Sequence, residues 1–253
     1  MIFNNNYLAG KRILVTGASS GIGRQVAILL SACGARICLS GRDNERLQLV
    51  LNALHGEGHS VLCLDLNGSD AVTDAIRHDA ETSGAFWGVF HGAGISMVRP
   101  AKLCKEKQFD EVFSSSVQSG IAIARAMSLR GVIEDGGSVI LMSSVASLRG
   151  QAGMALYSAA KSAIDGMTRS LAVEFAPRRI RVNSLCAGAV QTPMHEKLVN
   201  SLSQESVNDY ENKHLLGFGT PDDIANTVAF LMGEGGRWIT GTSVVVDGGY
   251  TVR

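Results

Sequence analysis

Short apolar runs alternate with longer amphipathic stretches along all 253 residues. The runs are 12–16 (RILVT), 36–40 (RICLS), 61–65 (VLCLD), 88–92 (GVFHG), 138–142 (SVILM), 180–185 (IRVNSL) and 243–247 (SVVVD). They are short and apolar almost throughout, which predicts strands covered on both faces. Between most of them lie roughly 10–20 residues of helical periodicity, such as GRQVAILLSACG and KSAIDGMTRSLAVEFA. Strand, helix, strand in that rhythm predicts βαβ crossovers, hence one α/β domain with a parallel sheet between two helical layers. Residues 109–130 and 153–176, rich in Ala, Ser and Val, read as the two longest helical stretches. No linker, repeat or low-complexity run splits the chain. The one long departure is 193–220, a polar stretch that breaks the alternation late in the chain. An excursion after a strand's carboxyl end lies where such sheets bind ligands. It reads as a substrate lid, with a plain surface excursion as the alternative.

Composition narrows the partners. Lys plus Arg and Asp plus Glu number 23 each, so no global field recruits nucleic acid or an acidic membrane, and any anion site is local. The five cysteines are odd in number and scattered without a C-x-x-C, and four sit in apolar surroundings. This usage suits a reducing, cytoplasmic compartment. The opening MIFNNNYLAGKRILVTG lacks a signal-peptide pattern, and no apolar run is long enough to span a bilayer. His55 and His59 flank a GEG turn and no H-E-x-x-H occurs, so no metal site is expected.

Three motifs carry chemistry. In ILVTGASSGIGRQVAILL, Gly17, Gly21 and Gly23 follow the first strand and open the first helix. Glycines there permit a tight turn and bring backbone N–H groups to a pyrophosphate at the positive helix end. The second strand ends LSGRD. An acid at this point holds a ribose diol and an arginine suits a 2′-phosphate, so Arg42 points to NADP, with Gly41 leaving room for the phosphate. Asp43 is the competing acidic reading. In ALYSAAK, Tyr157 and Lys161 stand four apart on one helix face. A cation beside a phenol favours its ionised form, which allows proton exchange near neutrality; a solvated helix face is the plainer reading of the pair.

Taken with TGASSGIG (16–23), the Asp65–Leu66 pair, HGAG (91–94), LMSSVAS (141–147), RVNSLCAGAVQTPM (181–194) and ITGTSVVVDGG (239–249), the chain resembles the short-chain dehydrogenase/reductase family from about Lys11 to Tyr250. The resemblance implies a Rossmann-like doubly wound sheet of about seven strands. It also implies an NAD(P)-dependent oxidoreductase acting on a CH–OH/C=O pair. Tyr157 would be the general acid in carbonyl reduction. Lys161 would lower its pKa and hydrogen-bond the nicotinamide ribose, and Ser144, thirteen residues before the tyrosine, would donate to the substrate oxygen. The cofactor would lie along Gly17, Ser19, Ser20, Gly21, Ile22 and Gly23. Asp65 and Leu66 would take the adenine, His91, Gly92 and Ala93 the adenosine side, and Gly188, Val190 and Thr192 the nicotinamide and pyrophosphate.

Three positions depart from the family pattern. His91 and Gly92 replace polar amides, Ala187–Gly188 replaces Pro-Gly, and the family's fourth catalytic residue, an asparagine, falls at Ser116. The stretch HLLGFGTPDDIANTVAFLM (214–232) is similar to 3-oxoacyl-carrier-protein reductases. The expectation is therefore a homotetrameric, NADPH-preferring reductase of a ketone or 3-oxoacyl thioester. Arg178 and Arg179 are placed to meet an acidic carrier protein, or equally to cap a solvated helix end. The alternatives are a dinucleotide-binding scaffold weakened at Ser116 and His91, and a sugar-nucleotide epimerase, which the short chain and the glycine spacing disfavour.

Overall fold

The computed structural model describes residues 2–67, 69–200 and 203–253. Seven strands form one sheet: β1 (Arg12–Thr16), β2 (Arg36–Gly41), β3 (Ser60–Cys63), β4 (Phe86–His91), β5 (Ile133–Met142), β6 (Arg181–Ala187) and β7 (Ser243–Val246). Their order is β3-β2-β1-β4-β5-β6-β7 and each neighbouring pair is parallel. The direction of winding reverses between β1 and β4. A crevice therefore opens at the carboxyl ends of these two strands, the position where such sheets take ligands.

Alternation within each strand splits the core in two. Ile13, Val15, Ile37, Leu39, Phe90 and Ile140 pack on one face against α1 (Gly21–Ala32), α2 (Asn44–Leu51) and α9 (Pro221–Met232). Leu14, Cys38, Val89, Val139, Leu141 and Val182 pack on the other, against α3 (Ser69–Ser83), α5 (Ser119–Ser128) and α6 (Ala155–Phe175). Burying such a side chain contributes about 1.5–3 kcal/mol, so both layers hold the strands in register. Three of the five cysteines are buried, whereas Cys63 is exposed and Cys104 half-buried, one fewer in the core than composition suggested. No helix among the described residues is long and apolar enough to cross a membrane.

The expected helix over 109–130 is not continuous. It consists of α4 (Glu106–Phe113), a π-helical turn at Ser114–Gln118, and α5. The serines explain the break. Ser115 Oγ donates to Val112 O at 3.2 Å and Ser119 Oγ to Ser115 O at 2.9 Å, competing with the ladder of main-chain bonds. The 193–220 excursion contains α7 (Pro193–Val199) and α8 (Gln204–Asn212).

Candidate active site

The glycine loop is built by close approach. Gly17 and Gly21 have φ of +65° and +53°, where a side chain is strained. A Cβ on Gly23 would lie 2.3 Å from the Gly17 carbonyl oxygen, and one on Gly17 2.8 Å from Ala93 N. Ser20 caps α1 without a side-chain hydrogen bond, which leaves the first N–H groups of the helix to another acceptor. Across the crevice, Thr192 Cγ2 would stand 3.3 Å from a Cβ on Gly21. Beside this contact opens a cavity of about 330 Å³ lined by Ser19, Ser20, Gly21, Arg24, Arg46 and Thr192. Positive-φ glycines, an uncapped helix start and flanking guanidinium groups fit a dinucleotide pyrophosphate.

At the end of β2, Arg42 is exposed beside Gly41. Asp43 is occupied: its carboxylate caps α2, accepting from Arg46 N at 3.1 Å. Arg46, absent from the sequence-based set, lies one helical turn on and donates through Nη2 to Ser19 O at 3.3 Å, so a second guanidinium stands at the glycine loop. Asp65 is exposed and turns one oxygen to Asn67 N at 3.1 Å, while Leu66 is buried beneath it.

His91 lies at the end of β4 but points inward. Ser119 Oγ spends its own proton on Ser115 O, so His91 Nε2 carries the ring hydrogen and Nδ1 accepts from Thr16 Oγ1 at 2.8 Å, the same hydroxyl that accepts from Ala93 N. His91 Nε2–H then donates to Ser119 Oγ at 3.1 Å. Burial, helped by the nearby Lys161 charge, lowers the imidazole to about 3, so the ring is neutral. Both ring nitrogens are taken within the protein. The side chain thus makes a buried tie between β1, β4 and α5. Gly92 and Ala93, half-buried at the same turn, still face the glycine loop.

The catalytic candidates meet at the ends of β5 and α6. Ser143 is buried and donates to Lys161 O at 3.2 Å. Ser144 is turned the other way, accepts from Ala146 N at 3.2 Å and hydrogen-bonds the Tyr157 hydroxyl. Ser144 is thus the serine of the pair that faces the phenol. Lys161 is buried, with Nζ donating to Met142 O at 2.9 Å and lying 5.6 Å from the Tyr157 ring centroid. Burial lowers its ammonium to about 8, while Asp165 and Cys186 push the other way. Tyr157 departs from expectation: burial raises the phenol, and Ser144 rather than Lys161 opposes the rise. In the chain alone the phenol holds its proton, as a general acid requires.

Two further residues face this corner. Ser116 Oγ is buried without a hydrogen-bond partner. It shares one side of Gly94 with Lys161, since a Cβ there would meet Ser116 Oγ at 3.4 Å and Lys161 Nζ at 3.6 Å. Asp165, one turn beyond Lys161 and only 6% exposed, accepts from Ser184 Oγ at 2.7 Å and was not among the sequence-based candidates. Its spacing from Lys161 was the available signal.

The loop after β6 closes the crevice. A Cβ on Gly188 would lie 2.8 Å from Asp247 Cα, so its backbone approaches the end of β7 as no other residue can. Val190 is buried and bridges to Gly219, and Thr192 caps α7 by accepting from His195 N at 3.2 Å.

Comparison with known proteins accords with this geometry. A family model described as enoyl-(acyl carrier protein) reductase matches residues 17–251. A 3-oxoacyl-[acyl-carrier-protein] reductase of Rickettsia prowazekii is 33% identical over 243 residues, covering 96% of this chain and 97% of the relative. The chain belongs to the short-chain dehydrogenase/reductase family. Other members of this family of oxidoreductases include a D-erythrulose reductase of Gallus gallus, 33% identical over 248 residues with 96% of both chains covered. A short-chain dehydrogenase of Burkholderia cenocepacia, solved in complex with NADP, superposes with a TM-score of 0.87 at 30% identity, covering 97% and 99% of the two chains.

Arg178 Nε pairs with Asp135 Oδ1 at 2.8 Å, and its other nitrogens donate to the carbonyls of Met127 and Ile133. It staples α5 and β5 to the end of α6. Arg179, in the left-handed region at φ 55°, remains exposed.

Proposed function

We propose that the chain reduces a ketone or a 3-oxoacyl thioester to the alcohol with NADPH. The observation that carries this reading is the meeting of the Ser144 hydroxyl, the protonated Tyr157 phenol and the buried Lys161 ammonium at the mouth of the crevice. The dinucleotide, when bound, supplies the hydride. Ser144 donates to the carbonyl oxygen as negative charge grows there. Tyr157 delivers its proton to the same oxygen, and Lys161 steadies the tyrosinate that is left. Ser116, with an uncommitted hydroxyl on the Lys161 side, supports proton return from solvent.

Gly188, Val190 and Thr192 line the nicotinamide side in this reading, the glycine loop holds the pyrophosphate, and Asp65 with Leu66 receives the adenine. Arg42 and Arg46 supply two cations for a 2′-phosphate, while Ser20 offers only a hydroxyl, so the preference for NADPH over NADH is moderate. The NADP-bound relative supports the choice. A carrier-protein-linked substrate is supported by the name of the Rickettsia relative. The 193–220 excursion serves as the substrate lid. A homotetramer through the helical layer of α4, α5 and α6 accounts for exposed Phe109, Ile121 and Val173. Unpaired cysteines suit a cytoplasmic setting.

The test is oxidation of NADPH and NADH against a panel of ketones, quinones, sugars, 3-oxoacyl thioesters and an enoyl thioester. Turnover of a carbonyl is expected. Reduction of the enoyl thioester alone would replace the carbonyl reading with C=C reduction. Cofactor binding without any turnover would favour the scaffold.

A further inference from the structure

His214 belongs to none of the site groups above, yet it is 3% exposed and touches three separate elements. Its Nε2 accepts from Ala189 N at 3.2 Å, in the loop between β6 and α7. Its Nδ1 lies 3.1 Å from Tyr210 O, in α8. Its ring stacks on Tyr250 at 4.6 Å between centroids, near the carboxyl end of the chain. The proton position is forced by these partners. A peptide N–H only donates and a carbonyl only accepts, so Nε2 carries a lone pair and Nδ1 the hydrogen. One tautomer of the neutral ring satisfies both. The imidazolium, with hydrogens on both nitrogens, turns an N–H against the Ala189 N–H.

We propose that His214 is a positioning residue: as a neutral imidazole it ties the loop carrying Gly188, Val190 and Thr192 to α8, and protonation releases that loop. The proposal rests on the reading of this loop as the nicotinamide side of the cofactor site. Main-chain bonds run alongside the tie, from Gly219 N to Ala189 O at 3.0 Å and from Gln191 N to Gly219 O at 2.8 Å. The His214 ring thus carries the Ala189 N–H of the loop across to the Tyr210 carbonyl of α8.

The charged and titratable groups around the ring oppose one another. Asp247 after β7 and Glu211 on α8 favour the imidazolium, as does the Tyr210 carbonyl. Burial disfavours it and prevails, and a charge on His214 in turn lowers the neighbouring His195 on α7. Tyr210 is itself pushed up to about 12, so its phenol brings no negative charge near neutrality, and Arg149 stands over the Tyr250 ring. The sign follows. A histidine lowered in the folded chain contributes its full stabilisation above its ordinary value of about 6.5, and that contribution fades as pH falls below it.

The experiment is amide exchange at Ala189 by NMR, expressed as protection relative to the free-chain rate at each pH, with NADPH affinity measured on the same samples. In the unaltered chain, protection and affinity should hold above about pH 6.5 and decline together below it. His214→Gln keeps an acceptor for Ala189 N–H and a donor for Tyr210 O but does not titrate, so its protection should stay flat with pH. His214→Leu should lose roughly tenfold or more of the Ala189 protection at every pH, on the order of 1.4 kcal/mol for one hydrogen bond. Equal protection in the unaltered chain and His214→Leu overturns the proposal, and so does an acid decline in His214→Gln matching the unaltered chain. If His214→Leu does not fold, the comparison of the other two decides alone. Failure of the unaltered chain to bind any dinucleotide would sink the cofactor reading, and the exchange result would still judge the tie.

Discussion

The two ends of the crevice are made in opposite ways. At the end proposed for the nicotinamide, Ser144, Tyr157 and Lys161 are held by packed partners: Ser143 grips the α6 backbone, Met142 O takes the ammonium, and Asp165 lies a turn away. At the end proposed for the adenosine, Arg42, Asp43, Arg46 and Asp65 are exposed, and two of these four spend their side chains on local turns. A buried group is fixed by everything packed around it, whereas an exposed one keeps its rotamer freedom and its solvent screening. Changes at the first end should therefore act on chemistry with large effects. Changes at the second should act on cofactor choice with small, nearly independent effects.

The sharpest break with that contrast would come from Tyr157→Phe. General acid catalysis is worth about 10²–10⁴-fold, so turnover should fall on that order while NADPH still binds, read by steady-state rates beside a binding titration. Full turnover on a confirmed substrate would leave the dinucleotide-binding scaffold as the better account.

Arg42→Ala and Arg46→Ala should each weaken NADPH by about 1 kcal/mol, roughly fivefold, because a phosphate contact at an exposed site stays partly wet. NADH affinity should hardly change in either. Equal losses for both cofactors would show that the arginines serve something other than a 2′-phosphate, and NADH binding as tightly as NADPH in the unaltered chain would refute the preference itself.

The charge on Lys161 offers a finer test. Its ammonium, lowered to about 8 by burial, is complete below that pH and lost as pH rises through it, so reductase activity should fall on the alkaline side. Asp165 supports the charged form, and Asp165→Asn should move that limb to lower pH. A pH profile that stays in place would show that the carboxylate serves Ser184 alone. The smallest effect is expected from Ser116→Asn, which restores an amide beside Lys161 and should leave activity similar or modestly higher. A severe loss would mean that the π-turn has no room for the longer side chain.

What was legible in the sequence follows the same divide. All seven strands announced themselves as apolar runs, because a sheet covered on both faces leaves little choice of residue, and their bounds moved by only a few positions. Gly17, Gly21, Gly23 and Tyr157 with Lys161 were readable from spacing, since strained turns and helix faces are local matters. The inward tie of His91 was not readable because its environment is made by β1 and α5, far from it in sequence. The anchoring of Arg178 escaped for the same reason, its acceptors lying on α5 and β5. His214 gave no signal at all: only the return of α8 toward the loop after β6 brings Ala189 to its ring. The broken helix at Ser114–Gln118 was hidden because its apolar positions on either side still look periodic.

That π-turn also sets a phase. An α-helix advances about 100° per residue, and a five-residue reach inserts one extra step into the count. Val112 and Ser116 point inward before and within the turn, and Ala122, Ile123, Ala126 and Met127 point inward after it. The wider turn absorbs that surplus residue, so the helix on either side keeps its face. Deleting one serine from 114–116 would remove the surplus and let α4 and α5 run on as a single α-helix with both apolar faces still inward. Packing would survive the change, whereas the buried Ser116 hydroxyl beside Lys161 would be drawn back into the regular ladder. The extra residue thus belongs to the site and not to the core.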